Sequence, residues 1–407
     1  MFSYRRCTLF SACLFLTLIL VASAGALSFA SLQTTGHVGV SYFTRNHFYD
    51  TSTQTLESDF ARFRNDGIKT IAIVLFWYNL ELSKGVYNQQ FINNVIHVCN
   101  VAEKYGLEVM IDFHTIANEA DAWTNPAYVG VAMRLITDKE IANAYVAMLD
   151  WALRELKDVK NIWAISVLNE PWYWPLDEWR KTNWINLMTE LTNTARQITT
   201  KPVTIRFVSA LFERDWNWDP RLMAALDFIS LNARVIPSQT NDIYWHNFDE
   251  YRSGLLEISQ KAAALGKQVE VTEFGYATYN DTLQADMYRG YTDIFDSTPN
   301  LIGWLSWGWD RSYDPNDPSS YFSDSSIFDP VTETVRPAYL YLIKSIKTGA
   351  TQGEAPINAE TGIVALLRIP SLQIVVILTG VLAGAGVLLF FRKRRIRTEQ
   401  SSIVARS

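Results

Sequence analysis

The sequence predicts a (β/α)8 TIM barrel, an α/β fold, placed between two membrane-targeting ends. Apolar runs and amphipathic stretches alternate eight times over about 310 residues, which indicates a parallel sheet. Eight strand–helix units of this total length fit a closed barrel. The alternative is an open, doubly wound sheet. A dinucleotide-binding sheet of that kind has a glycine-rich loop after its first strand, but here Thr44, Arg45 and Asn46 follow.

The strands are predicted from short apolar runs. The second run is nearly all apolar, as expected for a strand buried on both faces. The eight predicted strands are residues 38–43, 68–77, 107–114, 162–168, 203–208, 228–231, 268–272 and 301–307.

The helices between them are predicted from apolar residues at helical spacing, such as Leu56, Phe60 and Phe63. Gly106 and Gly266 follow two of these stretches, where glycine favours the end of a helix. The eight predicted helices are residues 55–65, 91–105, 138–157, 182–198, 221–226, 248–265, 283–295 and 337–346.

Residues 1–30 have the composition of a secretory signal peptide. Arg5 and Arg6 precede an apolar run at 14–21, and small residues at 22–26 offer a cleavage site. We expect cleavage there, with an uncleaved anchor as the alternative.

The other end of the chain has the pattern of a membrane anchor. Residues 371–391 form an apolar stretch long enough to cross a bilayer, with a buried core helix as the alternative. The basic tail at 392–407 would lie in the cytoplasm. The barrel at 31–346 would then be extracellular, joined by a stalk at 347–370. The sequence thus predicts a single-pass protein of the cell membrane.

The composition changes once these ends are set aside. Two of the 36 basic residues precede residue 27, and six follow residue 370. One of the 42 acidic residues also follows residue 370. The body therefore has 28 basic and 41 acidic residues and a net charge of −13. Such an acidic body disfavours nucleic acid as a partner. Cys99 is its one cysteine, which excludes an internal disulfide. The histidines show no ligand spacing, so we expect no metal or cofactor, and we expect a monomer.

Two predicted strands lead directly into a glutamate. The fourth continues into Asn169-Glu170-Pro171, and the seventh into Glu273-Phe274-Gly275. Catalytic groups of such barrels lie at the carboxyl ends of the strands, and strands four and seven face each other across the barrel mouth. Two converging carboxylates, one protonated and one ionised, suit the cleavage of a glycosidic bond.

These motifs resemble a known group of enzymes. The segments 169–171 and 272–275 are similar to the acid/base and nucleophile motifs of clan A glycoside hydrolases. The body most resembles glycoside hydrolase family 5, the cellulase and mannanase family. Further segments that carry the resemblance are 77–81 with 85–87, 112–114, 303–307, and 328–329 with 336–339.

The resemblance implies roles for individual residues. Glu170 would be the acid/base and Glu273 the nucleophile, with retention of configuration. Asn169 would bind the 2-hydroxyl of the sugar, His114 a neighbouring hydroxyl, and Trp307 would stack under the ring. Trp77 and Asn232 are also expected to bind substrate.

Aromatic residues make up 13% of the chain, and many of the 14 tryptophans follow predicted strands. Sugar rings pack on such flat surfaces, so Trp172 and Trp174, which follow Glu170, are expected to contact substrate. Others in comparable positions are Trp123, Trp216, Trp218, Trp245 and Trp309. A structural role is expected for Trp151, Trp163, Trp179 and Trp184.

The sequence departs from the family pattern at two places. Family 5 usually has an arginine on strand two, where this chain has Ala72, and a His and Tyr after strand six, where it has Asn232, Ala233 and Arg234. Arg206 or Arg234 could supply the missing charge.

These observations favour a retaining β-glycosidase, an endo-acting β-glucanase or mannanase whose partner is a β-linked glycan. Two alternatives remain open from the sequence. One is a non-catalytic carbohydrate-binding protein of the same fold, and the other is a transglycosylase that remodels surface glycans.

Overall fold

The computed structural model describes residues 36–43, 52–115, 135–171, 177–209, 215–237, 244–310, 326–329 and 332–352. The chain divides into two compact units, Met1–Ala350 and Thr351–Ser407. The expected signal peptide, membrane span and tail lie outside the described residues. Among the residues described, no helix has the length and apolarity needed to span a membrane.

Eight parallel strands close into a barrel, which confirms the predicted fold and excludes the open sheet. Each strand pairs with the next in the chain, and the last pairs with the first. The strands are β1 (His37–Phe43), β2 (Thr70–Phe76), β3 (Glu108–His114), β4 (Ile162–Asn169), β5 (Val203–Val208), β6 (Ile229–Asn232), β7 (Val269–Phe274) and β8 (Leu301–Asp310).

Helices pack around this barrel, and two short hairpins accompany them. The helices are α1 (Thr53–Asp66), α2 (Trp77–Leu80), α3 (Gln89–Lys104), α4 (Lys139–Leu156), α5 (Glu178–Ile198), α6 (Pro220–Ala225), α7 (Phe248–Ala264), α8 (Asp281–Phe295) and α9 (Pro337–Gln352), with a 3₁₀ turn at Asp215–Trp218. The hairpins pair Glu81–Ser83 with Val86–Tyr87 and Phe328–Asp329 with Thr334–Val335.

Some helices begin or end at other residues than the sequence predicts. α5 begins four residues earlier than expected because the Asp177 carboxylate accepts the backbone N–H of Arg180 at 2.8 Å. α9 continues to Gln352, so the first six residues of the predicted stalk are helical.

The barrel has an apolar outer layer and a partly polar interior. Outward-facing strand residues and the helices form the main core. Inside, a small apolar cluster contains Ala72, Met110, Ala164, Phe228 and Leu305. Fully buried polar side chains are also present, among them Asp112, Ser166, Thr204, Arg206, Ser230, Asn232, Glu270 and Thr272. Because buried polar groups need hydrogen-bond partners, this interior is organised by side-chain contacts between strands.

The amino end of the barrel interior is closed by stacked rings. The imidazole of His37 stacks on the indole of Trp163 with ring centroids 3.6 Å apart, and Trp163 stacks in turn on Phe228 at 5.3 Å. His37 Nδ1 lies 2.9 Å from a carboxylate oxygen of Glu108. The barrel closes tightly nearby: a Cβ on Gly303 would lie 2.1 Å from the carbonyl oxygen of His37. Glycine is therefore required there.

Glu270 is an exception to the rule that buried polar groups are paired. Its side chain lies in β7 with no exposed surface, and neither carboxylate oxygen has a hydrogen-bond partner among the described residues. Burial raises the pKa of Glu270 well above its ordinary value. The carboxyl group is therefore kept neutral in the folded protein over a wider pH range than in the unfolded chain.

We predict that Glu270→Gln stabilises the protein increasingly as the pH rises. The raised folded-state pKa means that the folded protein binds more protons than the unfolded chain above about pH 4.3. The wild-type free energy of unfolding then falls by up to about 1.4 kcal/mol per pH unit, until the pH reaches the folded-state pKa. Urea unfolding at several pH values measures this, with the exposed Glu190→Gln as the matched control. Parallel pH dependence of both variants and the wild type would contradict the prediction.

Candidate active site

Glu170 lies at the carboxyl end of β4 in a rare backbone conformation. Its φ angle is 47°, in the left-handed region that non-glycine residues seldom adopt. Its backbone N–H donates to the carbonyl of Arg206 on β5 at 2.8 Å, which holds this conformation. Strained residues of this kind cluster at functional sites, so the observation itself marks Glu170 as a site candidate.

Glu273 lies within β7, one residue before the strand ends, and its residue surface is 6% exposed. In the sheet register Glu273 pairs with Asn232, the last residue of β6. Barrel closure therefore brings it to the same rim as Glu170, as the sequence predicts.

The amide of Asn232 joins the two glutamates. Asn232 Nδ2 lies 3.0 Å from Oε1 of Glu170 and 3.1 Å from Oε2 of Glu273. These two oxygens are therefore at most 6.1 Å apart. Carboxyl groups of retaining glycosidases are separated by about 5–5.5 Å, and those of inverting enzymes by about 6.5–9.5 Å. The geometry fits retention.

Two arginines contact the carboxylate of Glu273. Arg234 Nη2 donates to Oε1, and Arg206 Nη2 lies 3.5 Å from Oε2. Burial raises the pKa of Glu273, while Arg234 and Arg206 act in the opposite direction and the neighbouring Glu170 adds to the rise. The arginines thus limit the cost of ionising a buried carboxyl group.

These contacts account for the missing arginine on strand two. Ala72 belongs to the apolar cluster inside the barrel. Arg206 reaches Glu273 from β5, and Arg234 reaches it from the segment after β6. Both candidates named from the sequence therefore supply positive charge, Arg206 from β5 and Arg234 from the segment after β6.

Tyr244 is a site residue that sequence reasoning missed. Its hydroxyl donates to Oε1 of Glu170 at 2.7 Å, and burial raises its pKa well above the ordinary value, so the phenol remains a donor. Tyr244 follows β6 by twelve residues, but Ile236 N–H donates to the carbonyl of Trp245 at 2.9 Å and ties the two ends of this segment. No local sequence signal marks such a contact.

The expected sugar-binding residues on β3, β4 and β8 are also at this end of the barrel. Burial lowers the pKa of His114 to about 4, so its imidazole is neutral, and its ring lies 5.1 Å from that of Phe76. Trp307 packs with Val74 and Phe76, and the Arg234 guanidinium lies 5.6 Å from its ring centroid. Asn169 is 2% exposed, with its amide directed at Asp112 and Asn232.

Trp77 has a different place from the one expected. The residue is 1% exposed, and its ring packs edge-on against Tyr145 at 5.0 Å. Its indole N–H donates to Glu81, whose other oxygen accepts the N–H of Gly85 at 2.6 Å. Trp77 therefore supports the hairpin after β2, and its indole offers no open face to a sugar ring.

The other tryptophans divide differently from the sequence expectation. Trp309 and Trp245 are buried, and Trp218 is half-buried with Lys261 over its ring. Trp179, expected to be structural, is 57% exposed at the start of α5. Trp123, Trp172 and Trp174 lie outside the described residues, as does the side chain of Trp216.

The described residues contain no group of three His, Cys, Asp or Glu side chains placed to hold a metal ion. The carboxyl groups of Glu170 and Glu273 are of the kind that carry out general acid–base and nucleophilic catalysis.

The closed barrel and the paired carboxylates define a retaining O-glycoside hydrolase. Within that class the family model described as cellulase (glycosyl hydrolase family 5) matches residues 32–312, and the chain belongs to this family.

Solved structures similar to this chain include glycoside hydrolases at low sequence identity. A GH5_18 protein from Streptomyces cattleya, solved with GlcNAc, is 15% identical with a TM-score of 0.59, covering 80% of this chain and 82% of its own. An exo-β-1,4-mannosidase, Op5Man5 from Opitutaceae bacterium strain TAV5, is 14% identical with a TM-score of 0.61, covering 79% and 60%. XacCel5A is 15% identical with a TM-score of 0.57, covering 78% and 99%. A comparison with curated proteins gave no match.

We predict that Arg234→Met raises the pKa of Glu273. The arginine favours the ionised carboxylate, so its removal leaves burial less opposed, and the carboxyl group loses its proton only at higher pH. NMR titration of ¹³C-labelled glutamate side chains measures the pKa directly. Arg289→Met, on the exposed surface of α8, is the control and should leave the titration unchanged. An unchanged or lowered pKa in Arg234→Met would contradict the prediction.

Proposed function

We propose that the protein hydrolyses β-linked polysaccharides or oligosaccharides, as an endo-acting β-glucanase or mannanase, with Glu170 as acid/base and Glu273 as nucleophile. The observation that carries the assignment is the single amide nitrogen of Asn232 within 3.1 Å of both carboxylates. The two groups are close enough for attack and proton donation at one glycosidic bond.

In the first step a carboxylate oxygen of Glu273 attacks the anomeric carbon. Glu170 gives its proton to the glycosidic oxygen, and the C–O bond to the leaving sugar breaks. The sugar on the other side becomes a glycosyl ester of Glu273. The charge of Arg234 beside Glu273 favours the ionised form that attacks.

In the second step Glu170, now ionised, takes a proton from water. The water oxygen attacks the anomeric carbon and displaces Glu273, which leaves as a carboxylate. Two inversions give retention. The hydroxyl of Tyr244, which donates to Oε1 of Glu170, would hold this carboxylate in place for the proton transfer.

Several residues support the proposed placement of the sugar. His114 and Trp307 would contact the ring at the cleavage point, and Asn169 and Asn232 would bind its hydroxyls near the carboxylates. Trp172 and Trp174 directly follow the Glu170–Pro171 pair in sequence, and we propose that they stack on neighbouring sugars.

We further propose that the barrel acts outside the cell as a monomer on a single-pass anchor. The support is the sequence pattern of the ends: the signal-like residues 1–30, the apolar stretch 371–391 and the basic tail.

Substitution of each glutamate tests the roles. Glu273→Gln should reduce hydrolysis to the detection limit, because an amide is not a competent nucleophile. Glu170→Gln should lower kcat about 10²–10⁴-fold, and less for aryl glycosides whose leaving group needs no proton. The exposed Glu257→Gln is the control. Steady-state kinetics and far-UV circular dichroism measure the outcome, and wild-type activity of Glu273→Gln would overturn the assignment.

A panel of β-glucan, mannan and aryl β-glycosides tests the substrate. We expect internal cleavage of a β-linked polymer, seen as a rapid fall in viscosity, with the β-anomer as first product by NMR. Release of single sugars without a fall in viscosity would contradict endo action. Products longer than the substrate would indicate transglycosylation.

Protease treatment of intact cells tests the location. The expected result is loss of the barrel from the membrane fraction, with the tail protected. Protection of the barrel in intact cells would overturn the proposed orientation.

A further inference from the structure

Four buried side chains beneath the two glutamates form a closed hydrogen-bonded ring. They are Asp112 on β3, Asn169 on β4, Arg206 on β5 and Asn232 on β6. Asn169 is 2% exposed, and the other three have no exposed surface. Four consecutive strands thus each contribute one member, and we call this group the interior ring.

Each link of the interior ring joins a donor to an acceptor. Asn169 Nδ2 donates to Asp112 Oδ2 at 2.7 Å, and Asn232 Nδ2 donates to Asn169 Oδ1 at 2.8 Å. Arg206 Nε donates to Asn232 Oδ1 at 3.1 Å, and Arg206 Nη1 donates to Asp112 Oδ2 at 2.6 Å. Each of the four links therefore pairs an N–H donor with an oxygen acceptor, and both links to Asp112 end on the same oxygen, Oδ2.

The ring has a direction that Asp112 and Arg206 determine together. Burial raises the pKa of Asp112 to about 6. Above that pH its carboxylate is ionised and accepts hydrogen bonds but donates none, while the guanidinium of Arg206 donates and accepts none. Asn169 must therefore turn its nitrogen toward Asp112 and its oxygen toward Asn232. Asn232 must turn its oxygen toward Arg206, so its nitrogen points the other way.

This direction decides what the two glutamates meet. Asn232 Nδ2 is the atom that contacts Glu170 and Glu273, at 3.0 and 3.1 Å. With the opposite amide orientation an oxygen would face both carboxylates, and three acceptors would crowd one point. The amide nitrogen of Asn232 can therefore face both carboxylates only because the hydrogen bonds of the interior ring fix the orientation of its amide.

We propose that Asp112 and Arg206 are positioning residues that fix the amide orientation of Asn232 and thereby hold Glu170 and Glu273 at their reacting separation. The inference rests on the proposed roles of these glutamates, and it adds two residues that would not touch the substrate. Asp112 acts through Asn169, and Arg206 acts on Asn232 directly as well as on Glu273.

Paired substitutions at Asp112 test this inference. Leucine has a similar size but no acceptor, so Asp112→Leu opens the ring, and kcat should fall about 10²-fold with KM changed less than threefold. Asparagine keeps an acceptor oxygen for both donors, so Asp112→Asn should retain kcat within tenfold. Thr204→Val is the matched control, since Thr204 is a buried polar residue two positions before Arg206 and lies outside the ring.

Arg206→Lys provides a second route if Asp112→Leu fails to fold. Lysine keeps the positive charge, but one ammonium group cannot reproduce the donor fork that joins Asn232 to Asp112. We expect kcat to fall at least tenfold, again with KM changed less than threefold. Melting temperatures and circular dichroism identify variants that fold.

The outcomes separate this inference from the proposed function. Two results, each obtained while Glu273→Gln is inactive, would overturn the ring proposal. One is a folded Asp112→Leu or Arg206→Lys variant with the same kcat as Thr204→Val. The other is a fall in kcat for Asp112→Asn as large as that for Asp112→Leu. Activity of Glu273→Gln at the wild-type level would instead overturn the catalytic assignment on which the inference rests.

Discussion

The burial of Arg206 inside the barrel is the constraint on which the site depends. A guanidinium without water must have its charge compensated and its N–H groups paired, or folding becomes very costly. The barrel meets this with acceptors from β3, β6 and β7: the carboxylate of Asp112, the amide oxygen of Asn232, and the carbonyl of Thr272 with the carboxylate of Glu273. The side chains that compensate the buried charge of Arg206 are therefore the same ones that contact or position Glu170 and Glu273.

Much of the fold was predictable because its signals are local. Eight apolar runs predicted the eight strands in the correct order, and Glu170 and Glu273 were recognisable because each lies at the carboxyl end of a buried strand. Tyr244 could not be found in this way, since its contact with Glu170 depends on how the segment after β6 returns to the barrel. The buried position of Trp77 depends on packing against Tyr145, which lies far away in sequence.

The departures from the family pattern compensate one another. Losing the strand-two arginine removes a charge beside the nucleophile, and Ala72 leaves room only for apolar packing inside the barrel. Arg206 and Arg234 restore the charge from the strand-five and strand-six side. The sequence named Arg206 and Arg234 as alternatives for this charge. The structure shows that both arginines contact the carboxylate of Glu273.

The hydrogen bond between Ile236 and Trp245 has a consequence for both glutamates at once. Arg234 lies two residues before Ile236, and Tyr244 lies one residue before Trp245. Arg234 donates to Glu273, and Tyr244 donates to Glu170. One backbone contact outside the strands therefore supports the positions of a partner for each carboxylate, and a substitution that loosens it would disturb both carboxylates together.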